Sequence, residues 1–96
     1  MPRAVWNHRI IAEAEAAAVR RVEGNIYFPP AAVRFEFLRP SETHTTCAWK
    51  GQASYFDVAV DGEIVRDAAW FYARPLEAAA SLRDYVAFWR GVSVEE

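Results

Sequence analysis

The hydrophobic and polar positions fall into short extended segments separated by turn residues, a pattern typical of an all-β domain. The clearest case is a pair of alternating segments, Ala53–Val60 and Glu63–Ala73, on either side of Asp61-Gly62. Asp-Gly suits a type I′ turn because both central residues of that turn have positive φ. The pattern therefore predicts a tight β-hairpin in this part of the chain.

A two-residue turn also sets the register of the hairpin. In this register Asp57 faces Arg66 as a cross-strand charge pair, and Tyr55 faces Ala68. We interpret one face as the core, with Asp67 as its misfit. That face carries Phe56, Val58, Val65, Ala69 and Phe71. The opposite face has rings with polar tips, as a ligand surface or a second packing layer would have. It carries Tyr55, Asp57, Arg66, Trp70 and Tyr72.

Shorter apolar segments predict further strands on both sides of this hairpin. These segments are Ala4–Trp6, Arg9–Ile11, Ala18–Glu23, Ile26–Phe28, Val33–Arg39, Tyr85–Trp89 and Val92–Val94. Asn7-His8 and Gly24-Asn25 are the predicted turns, because Asn and Gly tolerate positive φ. The chain is thus expected to form a series of antiparallel strands.

The end of the strand Val33–Arg39 and three segments between strands are harder to interpret. Val33–Arg39 alternates cleanly, and Pro40 is expected to end it because proline cannot donate a ladder hydrogen bond. A loop, Arg39–His44, would follow. Ala12–Ala18 could form a helix, since Ala and Glu are strong helix formers, but its short length and its flanks favour strand. Leu76–Leu82 is predicted as a short helical segment.

The composition is that of one small folded domain over residues 1–96. Hydrophobic residues make up 53% of the chain and charged residues 25%, which excludes a disordered protein. Acidic and basic residues are mixed along the chain and give a net charge of −2, so the sequence lacks the excess of positive charge that is typical of nucleic-acid binding. No signal peptide is evident, and no apolar run approaches the roughly 20 residues of a spanning helix. The single cysteine cannot form an internal disulfide, so we expect a cytoplasmic location.

The segment Cys47–Tyr55, with the sequence CAWKGQASY, carries the most specific pattern in the chain. It resembles the signature of a bacterial domain family of unknown function, Cys-Pro-Tyr-Lys-Gly followed by Ala-Ser-Tyr. The stretches IYFPPAAV, DAAWFYARP and YVAFW are similar to other motifs of that family and occur in the same order. The resemblance covers nearly the whole chain, although Ala48 and Trp49 replace Pro-Tyr in the signature.

This resemblance implies a fold of the β-tent type, in which two antiparallel sheets meet at an angle. It also implies the nucleotidyltransferase-like label that the family sometimes carries. Tent-like folds often hold zinc on paired C-x-x-C motifs, a site that one cysteine cannot supply, and we expect no metal and no cofactor. Some tent-like relatives bind small planar ligands in aromatic cages, which is an analogy of fold alone.

The candidate reactive or charged side chains are Cys47, Lys50 and Glu23. Cys47 could be a nucleophile, but His44 would point to the opposite face of a strand, and free cysteines are usually buried packing groups. Lys50 could bind an anion as a point charge or be a solvated turn residue; its surroundings lack the pattern of a phosphate loop. Glu23 could be a buried acid that faces Lys50, or an exposed residue beside a turn.

We therefore predict a small-molecule-binding module with an aromatic pocket. The predicted ligand-binding residues are Glu23, Tyr27, Cys47, Lys50, Tyr55, Trp70 and Tyr72. In this prediction Glu23 and Lys50 supply the charges and Cys47 lies in the pocket wall. The alternatives are a nucleotide-processing enzyme, for which the chain has no paired-Asp motif or glycine-rich loop, and a protein–protein adaptor. No catalytic residue is assigned, and no nucleic-acid or membrane partner is expected.

Overall fold

Antiparallel strands make up most of the computed structural model, which describes every residue from Met1 to Glu96. The strands are β1 (Arg3–Trp6), β2 (Arg9–Glu13), β3 (Arg20–Val22), β4 (Asn25–Tyr27), β5 (Leu38–Cys47), β6 (Gly51–Val60), β7 (Glu63–Phe71), β8 (Val86–Phe88) and β9 (Ser93–Glu95). Short 3-10 helical segments are Ala16–Ala18, Pro30–Ala32, Phe35–Phe37 and Glu77–Leu82. The all-β class is confirmed, and none of the helical segments has the length and apolar character of a membrane span.

The strands form three antiparallel sheets. One has the order β2-β1-β9, another is the hairpin β3-β4, and the largest has the order β5-β6-β7-β8. The two sheets that the resemblance implies are thus accompanied by a separate two-stranded hairpin. The four-stranded sheet is central to the fold because both buried clusters of the molecule include residues from it.

Two-residue turns with positive φ connect three of the hairpins. The predicted turn at Asn7-His8 is confirmed, with φ of 49° and 64°. The predicted turn at Gly24-Asn25 is wrong by one residue. Glu23 and Gly24 form it instead, with φ of 53° and 80°, and Asn25 already belongs to β4. This difference places the side chain of Glu23 at the tip of a turn rather than at the end of a strand.

The hairpin of β6 and β7 has the predicted register only near its turn. Val58 pairs with Val65 as expected, but Tyr55 pairs with Trp70 and not with Ala68. The predicted register is therefore wrong for the part of the hairpin that is distant from Asp61-Gly62.

A β-bulge around Asp67 causes this change of register. Between two paired positions, β7 has the three residues Arg66, Asp67 and Ala68 where β6 has only Asp57, and Asp67 has φ of 52°. A shift of two residues preserves the alternation of faces, so the predicted division of the side chains into two faces still holds. The predicted Asp57–Arg66 charge pair is present at 3.8 Å, with the guanidinium largely exposed.

Strand β5 corrects two predictions. The alternating segment Val33–Arg39 is not a strand over its length, because Phe35–Phe37 forms a 3-10 turn and β5 begins only at Leu38. The predicted loop Arg39–His44 lies within β5, and Pro40 does not end the strand. Proline is tolerated here because β5 is the edge strand of its sheet, where a missing N–H donor breaks no ladder.

The alanine-rich segment Ala12–Ala18 is also not a continuous strand. Strand β2 ends at Glu13, and Ala16–Ala18 forms one 3-10 turn before β3 begins at Arg20. The short helical segment predicted over Leu76–Leu82 is present as the 3-10 segment Glu77–Leu82.

Two buried clusters lie on opposite faces of the four-stranded sheet. The main core consists of Ala4, Ile11, Ala12, Ala14, Val19, Phe28, Val33, Leu38, Val58, Val60, Ala68, Ala69, Val86, Phe88 and Val92. The second, which we call the ring cluster, consists of Tyr27, Ala53, Trp70, Tyr72, Ala79, Leu82 and Ala87. Alternation along β8 separates them, since Val86 and Phe88 join the main core and Ala87 joins the ring cluster.

Candidate functional site

A cavity of about 230 Å³ opens on the ring-cluster side of the four-stranded sheet. We call it the aromatic pocket, and it is lined by Asn25, Lys50, Tyr55, Trp70, Tyr72 and Trp89. Four of these residues belong to the set predicted from the sequence, whereas Asn25 and Trp89 do not. The structure therefore brings most of the predicted side chains around one concave surface.

Lys50 is the charged group of the aromatic pocket and the only lysine in the chain. It lies in the turn between β5 and β6, and its side chain is only 8% exposed. Lysines are seldom buried without a partner, and here the ammonium donates a hydrogen bond to the carboxylate of Glu23. The ammonium also lies 5.6 Å from the centre of the Tyr72 ring, which adds a cation–π contact.

The ion pair shifts the pKa values of both partners towards the charged forms. Burial by itself lowers the pKa of Lys50, but the hydrogen bond to Glu23 and the electrostatic interactions with Tyr27, Tyr72 and Glu23 together outweigh it, and the net pKa is raised above the usual 10.5. The hydrogen bond from Lys50, with a smaller one from Trp49, lowers the pKa of Glu23 below 4.5. Lys50 is therefore an ammonium at neutral pH and not an amine nucleophile.

Tyr27 lies behind the pocket and supports it. It is fully buried, and its hydroxyl accepts a hydrogen bond of 3.2 Å from the Trp70 indole N–H. The two rings meet edge to face, with 6.0 Å between their centres. Tyr72 lies 6.5 Å from Tyr27 between ring centres, and burial raises its pKa to about 12, so its phenol stays protonated.

Tyr55 and Trp89 form the outer walls of the aromatic pocket. The Tyr55 hydroxyl exchanges a hydrogen bond of 2.9 Å with the Thr45 hydroxyl on β5. Trp89 packs edge to face on Trp70 at 5.4 Å and remains 42% exposed. From the sequence, Trp89 is predicted only as the end of the strand Tyr85–Trp89, and not as part of a pocket.

Cys47 does not line the aromatic pocket. It is half-buried and pairs with Gly51 at the end of the β5–β6 hairpin. The nitrogen Nδ1 of His44 forms a hydrogen bond of 3.1 Å with the Ser54 hydroxyl. His44 is thus engaged on the strand surface, and nothing in the geometry pairs it with Cys47 as a nucleophile and its base.

Gly51 allows the turn that carries Lys50 to approach the segment after Pro75. The backbone N–H of Leu76 donates a hydrogen bond of 3.0 Å to the Lys50 carbonyl. Gly51 has φ of 103°, and a Cβ atom at this position would lie 3.3 Å from the Leu76 nitrogen. Only glycine fits both the conformation and the close approach.

The order of the family motifs in the sequence agrees with a whole-chain match to a known family model. The family is described as a domain of unknown function, DUF427, under the short name NTP_transf_9, and its model matches residues 2–96. The chain belongs to the DUF427 family. No curated protein matches it.

Two other cavities occur in this DUF427 chain. The larger, about 370 Å³, is lined by Pro40, Ser41, Glu42, Thr43, Asp57, Arg66 and Asp67. The hydroxyls of Ser41 and Thr43 both donate hydrogen bonds to the Asp67 carboxylate, at 2.5 and 2.8 Å, so these polar groups already satisfy one another. We call the third cavity, about 250 Å³, the phenylalanine groove. It is lined by Pro30, Phe35, Phe56, Phe71, Asp84 and Val86.

No group of three or more His, Cys, Asp and Glu side chains in this DUF427 chain is placed to hold a metal ion. Among its cavities, only the aromatic pocket combines large rings with a buried charge and an amide. Ligand sites are usually apolar surfaces with a few placed polar groups, which makes this pocket the candidate site.

Proposed function

We propose that this DUF427 domain is a small-molecule-binding module, and that its ligand is a neutral, planar molecule with a hydrogen-bond acceptor. The observation that carries this proposal is the Lys50 ammonium. It is held by Glu23 against the Tyr72 ring and lines a cavity whose other walls include Trp70 and Trp89. A buried donor surrounded by rings favours an acceptor carried on a flat molecule.

The size of the cavity supports a small ligand. Pockets for drug-sized molecules measure about 300 to 1,000 Å³. The aromatic pocket, at about 230 Å³, is smaller, which suits a molecule of one or two fused rings. Such a ring could lie against Trp70 and Trp89 and receive a hydrogen bond from Lys50 or from the Asn25 amide.

The charges of the pocket support a neutral ligand. The ammonium of Lys50 and the carboxylate of Glu23 neutralise one another at the pocket. A cationic ligand would be repelled by the buried ammonium, and an anionic ligand would have to compete with the Glu23 carboxylate, which pairs with Lys50 and is 53% exposed. An uncharged carbonyl compound meets neither obstacle.

The test uses four bicyclic probes that differ in charge and in acceptor. Carbostyril is a neutral lactam, indole is neutral without a carbonyl, quinaldic acid is an anion, and N-methylquinolinium is a cation. The protein is labelled with fluorinated tryptophan, which gives one NMR signal for each of its four tryptophans. We expect carbostyril to bind most tightly and to shift the signals of Trp70 and Trp89 but not that of Trp6, which packs against the main core.

Other outcomes would overturn the proposal. Tighter binding of quinaldic acid or N-methylquinolinium would contradict a neutral ligand. Stabilisation by ATP with magnesium, in the absence of any carbostyril binding, would instead favour nucleotidyl transfer, as the short name of the family suggests. Self-association that rises with protein concentration, with no response to any probe, would favour an adaptor.

A further inference from the structure

The outer wall of the aromatic pocket is held by two consecutive carbonyl groups of β7. The backbone N–H of Trp89 donates a hydrogen bond of 2.9 Å to the Ala68 carbonyl. The indole N–H of the same residue donates one of 2.6 Å to the Asp67 carbonyl. Trp89 is therefore fixed at both its backbone and the polar atom of its ring.

A regular strand would not offer this pair of acceptors. Consecutive carbonyls of a strand point towards opposite neighbours, so only one of them faces a given side. The positive φ of Asp67, 52°, breaks this alternation at the β-bulge and allows both carbonyls to reach Trp89. The bulge and the orientation of the indole thus have one local cause.

Three further hydrogen bonds hold Asp67 in this conformation. Its carboxylate accepts hydrogen bonds from the hydroxyls of Ser41 and Thr43 on the edge strand β5. Its backbone N–H donates a hydrogen bond of 2.9 Å to the Asp57 carboxylate on β6. Positive φ is unfavourable for a residue with a side chain, and these contacts across two strands offset that cost.

We propose that Asp67 is a positioning residue for the aromatic pocket, and that the β-bulge it centres holds the Trp89 indole as the outer wall. The inference rests on the proposed ligand-binding function, because it assigns Trp89 to the ligand site. Asp67 itself does not line the pocket and acts only through Trp89. Lys50, Tyr55 and Tyr72 are held by other contacts and would keep their places without it.

The experiment compares Asp67→Ala with Asp61→Ala in protein that carries fluorinated tryptophan. Asp61 is a matched control, since it is also an aspartate with positive φ, 51°, but it lies in the β6–β7 turn. We expect Asp67→Ala to move or broaden the Trp89 signal. Carbostyril binding should weaken about fivefold, a change about as large as the net contribution of one hydrogen bond. Asp61→Ala should change neither.

A conservative substitution and a side-chain variant provide independent checks. Asn tolerates positive φ, so Asp67→Asn should largely restore the wild-type Trp89 signal. The double variant Ser41→Ala, Thr43→Val removes the two donors to the Asp67 carboxylate without any substitution in β7 itself. We expect it to accelerate hydrogen exchange at the Trp89 indole N–H, even if Asp67→Ala does not fold.

The proposal is overturned if Trp89 keeps its signal in Asp67→Ala and its exchange rate in the Ser41→Ala, Thr43→Val variant, or if Asp61→Ala has the same effect as Asp67→Ala. The fluorine signal and the exchange rate need no ligand. If carbostyril does not bind the wild-type protein, the function proposed above fails, while the role of Asp67 is still decided by these two measurements.

Discussion

The two faces of the four-stranded sheet are built from alternate residues of the same strands, yet they differ in chemistry. The main core is packed with hydrocarbon side chains, of which Phe28 and Phe88 meet edge to face at 5.9 Å. The ring cluster contains Tyr27, Trp70 and Tyr72, whose polar atoms bond one another or face Lys50.

This difference indicates which face of so small a domain has room for a binding site. A hydrocarbon core gains most of its stability by excluding every polar group, so it leaves no donor for a ligand. The side chains of the ring cluster are nearly as completely buried, but several of them carry polar atoms. A lysine lies beside them, next to a cavity. One face is therefore built for packing alone, and the other adds the polar groups that line the proposed site.

The largest expected effect comes from removing a ring of the main core. Phe28→Ala should lower the free energy of unfolding by about 3–5 kcal/mol, because a fully buried aromatic side chain is replaced by a cavity. Denaturant titration at low temperature measures this loss. The fraction that remains folded should still bind carbostyril as the wild type does. A loss of affinity in that fraction would show that the two faces are not separate.

Lys50→Met is expected to have the opposite effect to Phe28→Ala, with a loss of ligand affinity rather than of stability. It should weaken carbostyril binding about ten- to hundredfold, since hydrogen bonds to charged groups contribute about 1.5–3 kcal/mol. Calorimetric titration measures the change. The Met side chain can fill the apolar space of the lysine stem, and Glu23, left without its partner, is already half exposed to water. Unaltered affinity would contradict the assignment of Lys50 as the donor.

Tyr27→Phe tests the polar atoms of the ring cluster themselves. It should lower the free energy of unfolding by about 1–3 kcal/mol, because the Trp70 indole N–H is left without an acceptor in a buried position. The same denaturant titration measures the change, and Phe28→Tyr on the opposite face is a control that adds a hydroxyl where no partner lies. If Tyr27→Phe leaves stability unchanged, the hydrogen bond within the ring cluster contributes little.

The smallest expected effect is a change of pH dependence in Glu23→Gln. The pKa of Glu23 is lower in the folded protein than its usual 4.5. The ion pair therefore stabilises the folded state above pH 4.5, and this contribution is lost as the pH falls through the folded-state pKa. The raised pKa of Lys50 means that its contribution is present below 10.5 and is lost at higher pH.

The difference in Tm between the wild type and Glu23→Gln should thus be greatest between pH 4.5 and pH 10.5, and it should become smaller below and above this range. Thermal melts across this range measure it. Glu36→Gln, at an exposed glutamate outside the ion pairs of the structure, is the control and should show no such window. A difference that does not vary with pH would mean that the effect is not electrostatic.

The sequence predicts the faces of the sheet better than its details. The period-two alternation around Asp61-Gly62 assigns Trp70 and Tyr72 to the polar-tipped face, and the structure agrees because the bulge inserts an even number of residues. The bulge itself could not be predicted, since its centre is an Asp with positive φ and not a Gly. Trp89 lies outside the predicted site because its indole bonds to the Asp67 carbonyl at this bulge, a contact that the alternation of the strand does not indicate.

Edge strands were the other source of error. The segment Arg39–His44 has the composition of a loop, but an edge strand with few buried side chains needs no apolar alternation. The contact between Glu23 and Lys50 was only one of two open alternatives from the sequence. Its formation depends on the Glu23-Gly24 turn, which was placed one residue too late.

The Lys50 ammonium provides the most direct test of the binding site. Because it is the only lysine, protein labelled with nitrogen-labelled lysine gives a single side-chain ammonium signal by NMR. Addition of carbostyril should shift this signal with the same saturation curve as the Trp89 signal, and indole should leave it in place. An ammonium signal that stays constant while carbostyril saturates the protein would contradict binding at Lys50.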